Sequence, residues 1–210
     1  MDIALARAWI ATIAEAVAAN ADHLTDLDSA IGDADHGVNL QRGFTAVVAA
    51  LDGYEAATVG DVLVRTGSTL ISKVGGASGP LYGTAFRTIG KALDQSTVDA
   101  VVLAKALRAG LDGVQRLGAA MPGDKTIVDA YGPAVEAFEA AAGDGLATAA
   151  SAAAAAAEEG AKATTPMQAR KGRASYLGTR SIGHQDPGAT STSLIFRALA
   201  NVTDAGTPGA

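Results

Sequence analysis

The stretch Val98-Asp99-Ala100-Val101-Val102-Leu103-Ala104-Lys105-Ala106-Leu107-Arg108-Ala109-Gly110-Leu111-Asp112-Gly113-Val114-Gln115-Arg116-Leu117 decides the fold class. Val101 and Val102 are the strongest strand signal in the chain. They sit among alanine and leucine, the best helix formers. If the best strand candidate reads as helix, little sheet remains to be found.

The rest of the sequence has the same period. Trp9, Ile10, Ile13 and Val17 form a stripe at helical spacing, as do Leu63, Leu70, Ile71 and Val74. Ile127, Tyr131, Ala134, Val135 and Phe138 form a third. Leu146 to Lys162 is again rich in alanine, and its low-complexity core, Ala152 to Ala157, reads as one tightly packed helix. Seven to nine helices are expected. The predicted class is all-α: a single-domain antiparallel barrel or bundle of about eight helices, close-packed through small side chains. The domain is expected over residues 1–203, with a flexible tail at 204–210.

Composition narrows the function. Hydrophobic residues make up 49% of 210, so a sizeable core can form, but aromatics are only 4%. Net charge is −6, against a nucleic-acid footprint. With no cysteine there is no disulfide, thiol nucleophile or thiolate metal site. Asp2, Arg7 and Glu15 interrupt any secretory h-region, and no charge-free apolar run reaches the ~18 residues of a membrane span. A soluble cytoplasmic protein is expected.

Four polar, glycine-rich segments separate the helical patterns. The first, Asp28-Ser29-Ala30-Ile31-Gly32-Asp33-Ala34-Asp35-His36-Gly37-Val38-Asn39, crowds three carboxylates together. Such hard oxygen ligands suit magnesium or calcium. In the second, Gly75 to Thr84, Ser78 is expected to cap a helix whose free N–H groups would favour phosphate. The third, Gly118-Ala119-Ala120-Met121-Pro122-Gly123-Asp124-Lys125-Thr126, nearly imitates a P-loop, but Asp124 breaks the pattern and no strand precedes it. Lys125 is free there to meet a phosphate or a carboxylate, and Asp124 or Thr126 to cap the next helix. The fourth, Gly172 to Ser191, is a long polar loop holding Arg173 and Arg180, whose planar forks match phosphate or carboxylate. Acidic ligands and phosphate-friendly loops on inter-helix connections read together as Mg²⁺–nucleotide binding and phosphoryl transfer.

These segments resemble, in order, the L subunit of the dihydroxyacetone kinases. The matching pieces are Asp28 with Ile31 to Asn39, Gly75 to Leu81, Pro122 to Thr126, and Gly172 to Gly178 with Ser181 to Ala189. The resemblance implies an eight-helix antiparallel barrel with nucleotide at one end. It implies two Mg²⁺ ions held by Asp28, Asp33 and Asp35. It implies ADP or ATP contacts from His36, Gly37, Val38, Asn39, Ala77 and Ser78, and from Gly118, Ile127, Arg173, Asp186, Pro187 and Gly188. Ile127 stands where the family often has methionine, and Thr179 where it has glutamate. No general base is expected; Arg173 is the candidate for phosphate stabilisation.

The family's substrate-binding K unit is not in this sequence. A free-standing L unit resembles the phosphotransferase-system form, in which retained ADP is recharged by a phosphohistidine protein (the M type) supplied from phosphoenolpyruvate. The leading expectation is thus a phosphoryl-transfer subunit that serves dihydroxyacetone held on a K subunit. Its rivals are an ATP-dependent two-component kinase for another small ketose and a nucleotide-loaded regulatory module. The reading leaves room for a homodimer.

Overall fold

The structure is a computed structural model and describes residues 1–205. Among these are nine α-helices and no strand. They are α1 (Ile3–Ala19), α2 (Ala21–Ile31), α3 (His36–Leu51), α4 (Val59–Lys73), α5 (Ser78–Lys91), α6 (Ala100–Gly118), α7 (Val128–Ala141), α8 (Leu146–Ala163) and α9 (Pro187–Ala205). Short 3₁₀ segments cover Ala142–Asp144 and Arg173–Ser181.

Eight of the helices close a ring. α1 packs on α3, and α3 to α9 each pack on the next; α9 returns to α1. The ninth, α2, is the outer part of the first arm. The chain bends by 62° between α1 and α2 at Asn20, and α2 then lies across α3 and α9. The count is therefore nine rather than eight, because one arm of the barrel is broken. No single helix is long and apolar enough to cross a membrane.

Small residues set the spacing of the ring. On α4 and α5, Gly60 faces Gly90 and Gly67 faces Gly83, so near that a Cβ on Gly90 would stand 2.6 Å from the Gly60 carbonyl oxygen. On α8, Ala149, Ala150, Ala153, Ala154, Ala157 and Ala161 are buried against α7 and α9. Backbones this close gain dispersion contacts without aromatic bulk. Most of the few rings gather inside: Trp9 and Phe44 both lie against Phe86, and Tyr131 against Phe196. Ile71, expected in the α4 stripe, is instead 39% exposed.

The α9 helix runs past the expected domain end. Thr203, Asp204 and Ala205 belong to its last turn, and residues 206–210 of the expected tail lie outside the described residues.

Candidate functional site

Up-and-down winding brings alternate helix ends together. The C-terminal ends of α2 and α6 and the N-terminal ends of α3, α5, α7 and α9 line one cavity of about 470 Å³. Helix N-termini carry unpaired N–H groups and a partial positive charge, so four of them aimed at one space favour an anion such as phosphate. All three non-glycine residues with left-handed φ among those described, Ala34, Ala119 and Lys125, lie in the loops at this end. Such strain persists only where the surroundings impose it.

Asp28 comes from the last turn of α2, and Asp33 and Asp35 from the turn that follows. Each offers an oxygen, and the three oxygens lie within 4.8 Å of one another. Asp35 stands at the cap position of α3, but its side chain makes no cap hydrogen bond. Asp28 serves instead: its Oδ2 accepts the N–H of Asp35 at 2.9 Å and of His36 at 3.2 Å. This leaves the Asp35 carboxylate for other work. An all-oxygen, all-carboxylate set with no nitrogen or sulfur donor fits Mg²⁺. Arg173 closes the cluster from the far side, its Nε 2.8 Å from Asp33 Oδ2.

His36 is buried between two hydroxyls, with Nδ1 3.1 Å from Ser78 Oγ and Nε2 2.8 Å from Ser191 Oγ. Burial pushes its pKa below the ordinary histidine value, partly opposed by Asp28 and Asp35, so the ring is held toward neutral. The chain of hydrogen bonds continues inward. Ser191 Oγ meets Tyr82 Oη at 2.7 Å, and Tyr82 donates onward to the Gly188 carbonyl or to Thr192. Ser78 is thus the first residue of α5 rather than its cap; its hydroxyl is turned to His36, and Ala77 occupies the cap position.

At the start of α9, Asp186 caps the helix by accepting the Ala189 N–H at 2.7 Å, ahead of Pro187 at the first helical position. Burial pushes the Asp186 carboxyl up to about 7. A Cβ on Gly188 would press 2.7 Å from Ile127 Cγ2, so the glycine lets Ile127 lean over the pocket floor.

Of the expected nucleotide contacts, His36, Ala77, Ser78, Gly118, Ile127, Arg173, Asp186, Pro187 and Gly188 line this one cavity with the three aspartates. Gly37, Val38 and Asn39 do not. A Cβ on Gly37 would overlap the Ala21 carbonyl oxygen, which makes it the contact point of α3 on α2. Val38 points outward at 55% exposure. Asn39 Oδ1 accepts from Arg42 at 2.8 Å. What they still offer is the backbone of the first turn of α3.

The third loop differs from its expectation. Asp124 does not cap α7; its carboxylate accepts the Met121 N–H at 2.9 Å, within its own turn. Asp129 instead reaches back from α7 to the N–H groups of Gly123 (2.5 Å) and Thr126 (2.8 Å). Thr126 Oγ1 does accept the Val128 N–H at 3.1 Å. Lys125 meets neither phosphate nor carboxylate: its Nζ donates to four backbone carbonyls. Burial lowers its pKa. The long fourth loop is compact, wound into 3₁₀ turns over Arg173–Ser181 with a kink at Gly178.

Sequence reasoning missed Tyr82, Ser191 and Asp129. The signal for Ser191 was present: Thr190-Ser191-Thr192-Ser193 is an unbroken hydroxyl run opening an otherwise apolar helix, and all four are buried.

Comparison with known proteins agrees with this geometry. The DAK2 domain model matches residues 30–201. The ADP-binding subunit DhaL of the PEP-dependent dihydroxyacetone kinase of Escherichia coli is 46% identical over 195 residues, covering 91% of this chain and 93% of its own. The corresponding subunit of PEP-dependent dihydroxyacetone kinase 1 of Listeria innocua is 44% identical over 191 residues, covering 91% and 92%. Among solved structures, the dihydroxyacetone kinase of C. freundii in complex with AMP-PNP and Mg²⁺ superposes with a TM-score of 0.75 at 26% identity. That match covers 96% of this chain and 34% of that one, so the chain spans about a third of the solved kinase. On the DAK2 match and these similarities over about nine-tenths of both chains, the chain belongs to the DAK2 domain family, alongside the ADP-binding L subunits of dihydroxyacetone kinases.

Proposed function

We propose that this chain is the ADP-binding, phosphoryl-transferring subunit of a multi-subunit dihydroxyacetone kinase. The observation that carries the reading is the meeting of Asp28, Asp33 and Asp35 with four helix N-termini and Arg173 in one cavity. Phosphoryl transfer asks a protein mainly for positioning and charge neutralisation, and this end of the barrel supplies both.

Asp28, Asp33 and Asp35 would hold two Mg²⁺ ions. When bound, these supply neutralising charge to the phosphate oxygens. The residues do the rest. Asp28 is oriented by the backbone of Asp35 and His36. The first turns of α3 and α5 present N–H groups to the phosphates. Ser78, fixed by His36, sets the α5 end of that cradle. Ile127 and Gly118 give the base an apolar floor. Arg173 swings its fork from Asp33 to the transferring phosphoryl group. The reading calls for no general base.

The acceptor is dihydroxyacetone on a K-type partner, and the donor a phosphohistidine protein charged from phosphoenolpyruvate. The place of work is the cytoplasm. The similarity over nine-tenths of the length of PEP-dependent L subunits supports this form over a free ATP-exchanging kinase.

The test is reconstitution. Native mass spectrometry after exhaustive desalting should find ADP retained. Single-turnover assay of the charged subunit should then show transfer to ketose on a K subunit. Free exchange of ATP would favour the ATP-dependent form, and retained nucleotide without any transfer a regulatory module.

A further inference from the structure

Lys125 is 1% exposed, and its φ of +62° is one that a side-chain-bearing residue rarely adopts. Its ammonium has no carboxylate within ion-pair distance among the described residues. It donates to the carbonyl oxygens of Thr164 (3.0 Å), Met167 (3.1 Å), Ser181 (2.9 Å) and His184. An unpaired buried charge is costly unless dipoles replace its water. Here four do, and they come from both strands of one connection: Thr164 and Met167 as the chain leaves α8, Ser181 and His184 as it returns to α9. Smaller ties close around this hub. Gly183 N–H reaches Thr165 O at 2.8 Å, Ala169 N–H reaches Ser181 Oγ at 2.9 Å, and Arg170 N–H reaches Asp124 O at 3.0 Å.

Arg173 rides on the part of this connection beyond the hub. From Gly172 to Thr179 the side chains hydrogen-bond only within the segment, apart from the pair between Arg173 and Asp33, among the described residues. That pair is largely exposed and worth little by itself, on the order of 0–1 kcal/mol. It does not account for the segment's place. The segment also packs on α2, and its base is gathered around the Lys125 ammonium.

We propose that Lys125 is a positioning residue for phosphoryl transfer: its buried ammonium pins both strands of the 164–186 connection, and this sets Arg173 over the carboxylate cluster. The inference rests on the reading of the site as a phosphoryl-transfer centre. Lys125 lines the cavity, but its ammonium is taken up by the four carbonyls and pairs with none of Asp28, Asp33 and Asp35. Its charge gathers backbone dipoles, and the effect on chemistry passes through Arg173.

The experiment has two arms. In the first, trypsin is added to the nucleotide-free chain and to Lys125→Met, and cleavage at Arg170, Lys171, Arg173 and Arg180 is timed. Opening of the connection should speed cleavage at least about tenfold, since proteolysis follows the population of open forms. Unchanged cleavage overturns the proposal. The second arm is a double-mutant cycle in single-turnover transfer to a ketose-loaded K partner, with Mg²⁺–ADP affinity measured alongside. Lys125→Met should slow transfer about tenfold or more in the unaltered background but less than about twofold when Arg173→Ala is already present, since residues acting through one group are not additive. Nucleotide affinity should fall less than about threefold, because Asp28, Asp33 and Asp35 lie on other elements. Effects that multiply, or an affinity loss matching the rate loss, overturn the proposal. If Lys125→Met does not fold, Ser181→Ala loosens the same base from within and carries the same expectations. Transfer absent from the unaltered chain overturns the proposed function; transfer present with independent effects overturns only the positioning role.

Discussion

Gly32 lies directly against the carboxylate of Asp28: a Cβ there would stand 2.8 Å from Asp28 Cγ and overlap Oδ1. The backbone at Gly32 has negative φ, so the glycine is needed for space and not for a left-handed turn. Gly32→Ala should leave the barrel folded, because Gly32 follows the last turn of α2, and should displace the Asp28 carboxylate. Calorimetric titration with Mg²⁺–ADP should show affinity weakened at least about tenfold, the loss of roughly one charge-assisted contact. Unaltered affinity would remove Asp28 from the metal set.

The ion pair between Arg173 and Asp33 joins the fourth polar loop to the first. Arg173 is 70% exposed there, so the pair adds little to stability. Its value would come in transfer, where a planar fork is not replaced by an ammonium. Arg173→Lys should leave the melting temperature nearly unchanged and slow single-turnover transfer roughly ten- to a hundredfold, equivalent to about 1.5–3 kcal/mol. Transfer at the original rate would take Arg173 out of the site.

Three carboxylates held within 4.8 Å repel one another. Nucleotide should therefore stabilise the fold strongly only when Mg²⁺ accompanies it. At about a hundredfold excess over Kd the gain is roughly 2.7 kcal/mol, or about 5–10 °C for a chain of this size. Thermal melts with ADP, with and without EDTA, check this. A shift indifferent to EDTA would contradict the carboxylate–metal bridge.

What was legible in the sequence was local. The helices announced themselves through a 3.6-residue period, and the acidic loop through three aspartates in eight positions. Ring closure was not legible: the contact of α9 on α1 joins opposite ends of the chain, and only packing reveals it. The break at Asn20 was hidden because the apolar period runs on through it, from Val17 to Leu24. In the site, Asp28, Asp33 and Asp35 stood out because three carboxylates crowd into eight positions, and Arg173 because it opens a long polar loop; the structure brings all four to one cavity. Ser191 and Tyr82 were missed because their hydrogen bonds are long-range: Ser191 meets His36 155 residues away, and Tyr82 meets Ser191 109 residues away. Lys125 was misjudged for a related reason. A lysine in a loop that nearly imitates a P-loop suggests phosphate, and nothing local shows that backbone carbonyls 39 to 59 residues away enclose it.

The contact between α4 and α5 makes a sharper demand than any side chain in the core. A Cβ on Gly67 would overlap the Gly83 carbonyl oxygen and stand 2.6 Å from the Arg87 backbone nitrogen. Backbone atoms of a packed helix cannot move aside singly, so both helices must part. Gly67→Ala should cost about 1–3 kcal/mol, the range for overpacking. Gly132, on α7, has open space where its Cβ would lie. There Gly132→Ala meets only the ring of the following Pro133, whose Cδ disfavours a Cβ on a helical neighbour, so it should cost less than Gly67→Ala, within about 1 kcal/mol of the unaltered chain. Paired melts read the contrast, and equal effects of the two substitutions would refute backbone-to-backbone packing on α4 and α5.

Asp186 ties stability to pH. Its carboxyl is buried under the first turn of α9, and burial is the main cause that raises its pKa to about 7, with Asp129 adding to the rise and the Ala189 N–H and Lys125 opposing it. The unfolded value is near 3.8. Between these two pH values the folded chain holds a proton that the unfolded chain releases. This contribution is therefore fully present below about pH 4 and is lost as pH rises through about 7. Asp186→Asn keeps an oxygen to accept the Ala189 N–H but has no charge to bury. The melting temperature of the variant minus that of the unaltered chain, measured without nucleotide and in EDTA, should therefore climb between about pH 4 and pH 7 and level off above, by an amount on the order of 1–4 kcal/mol when converted to free energy. Taking the difference cancels the titration of every group the two proteins share. A difference that is flat with pH would mean that Asp186 is ionised throughout, satisfied by the helix start it caps.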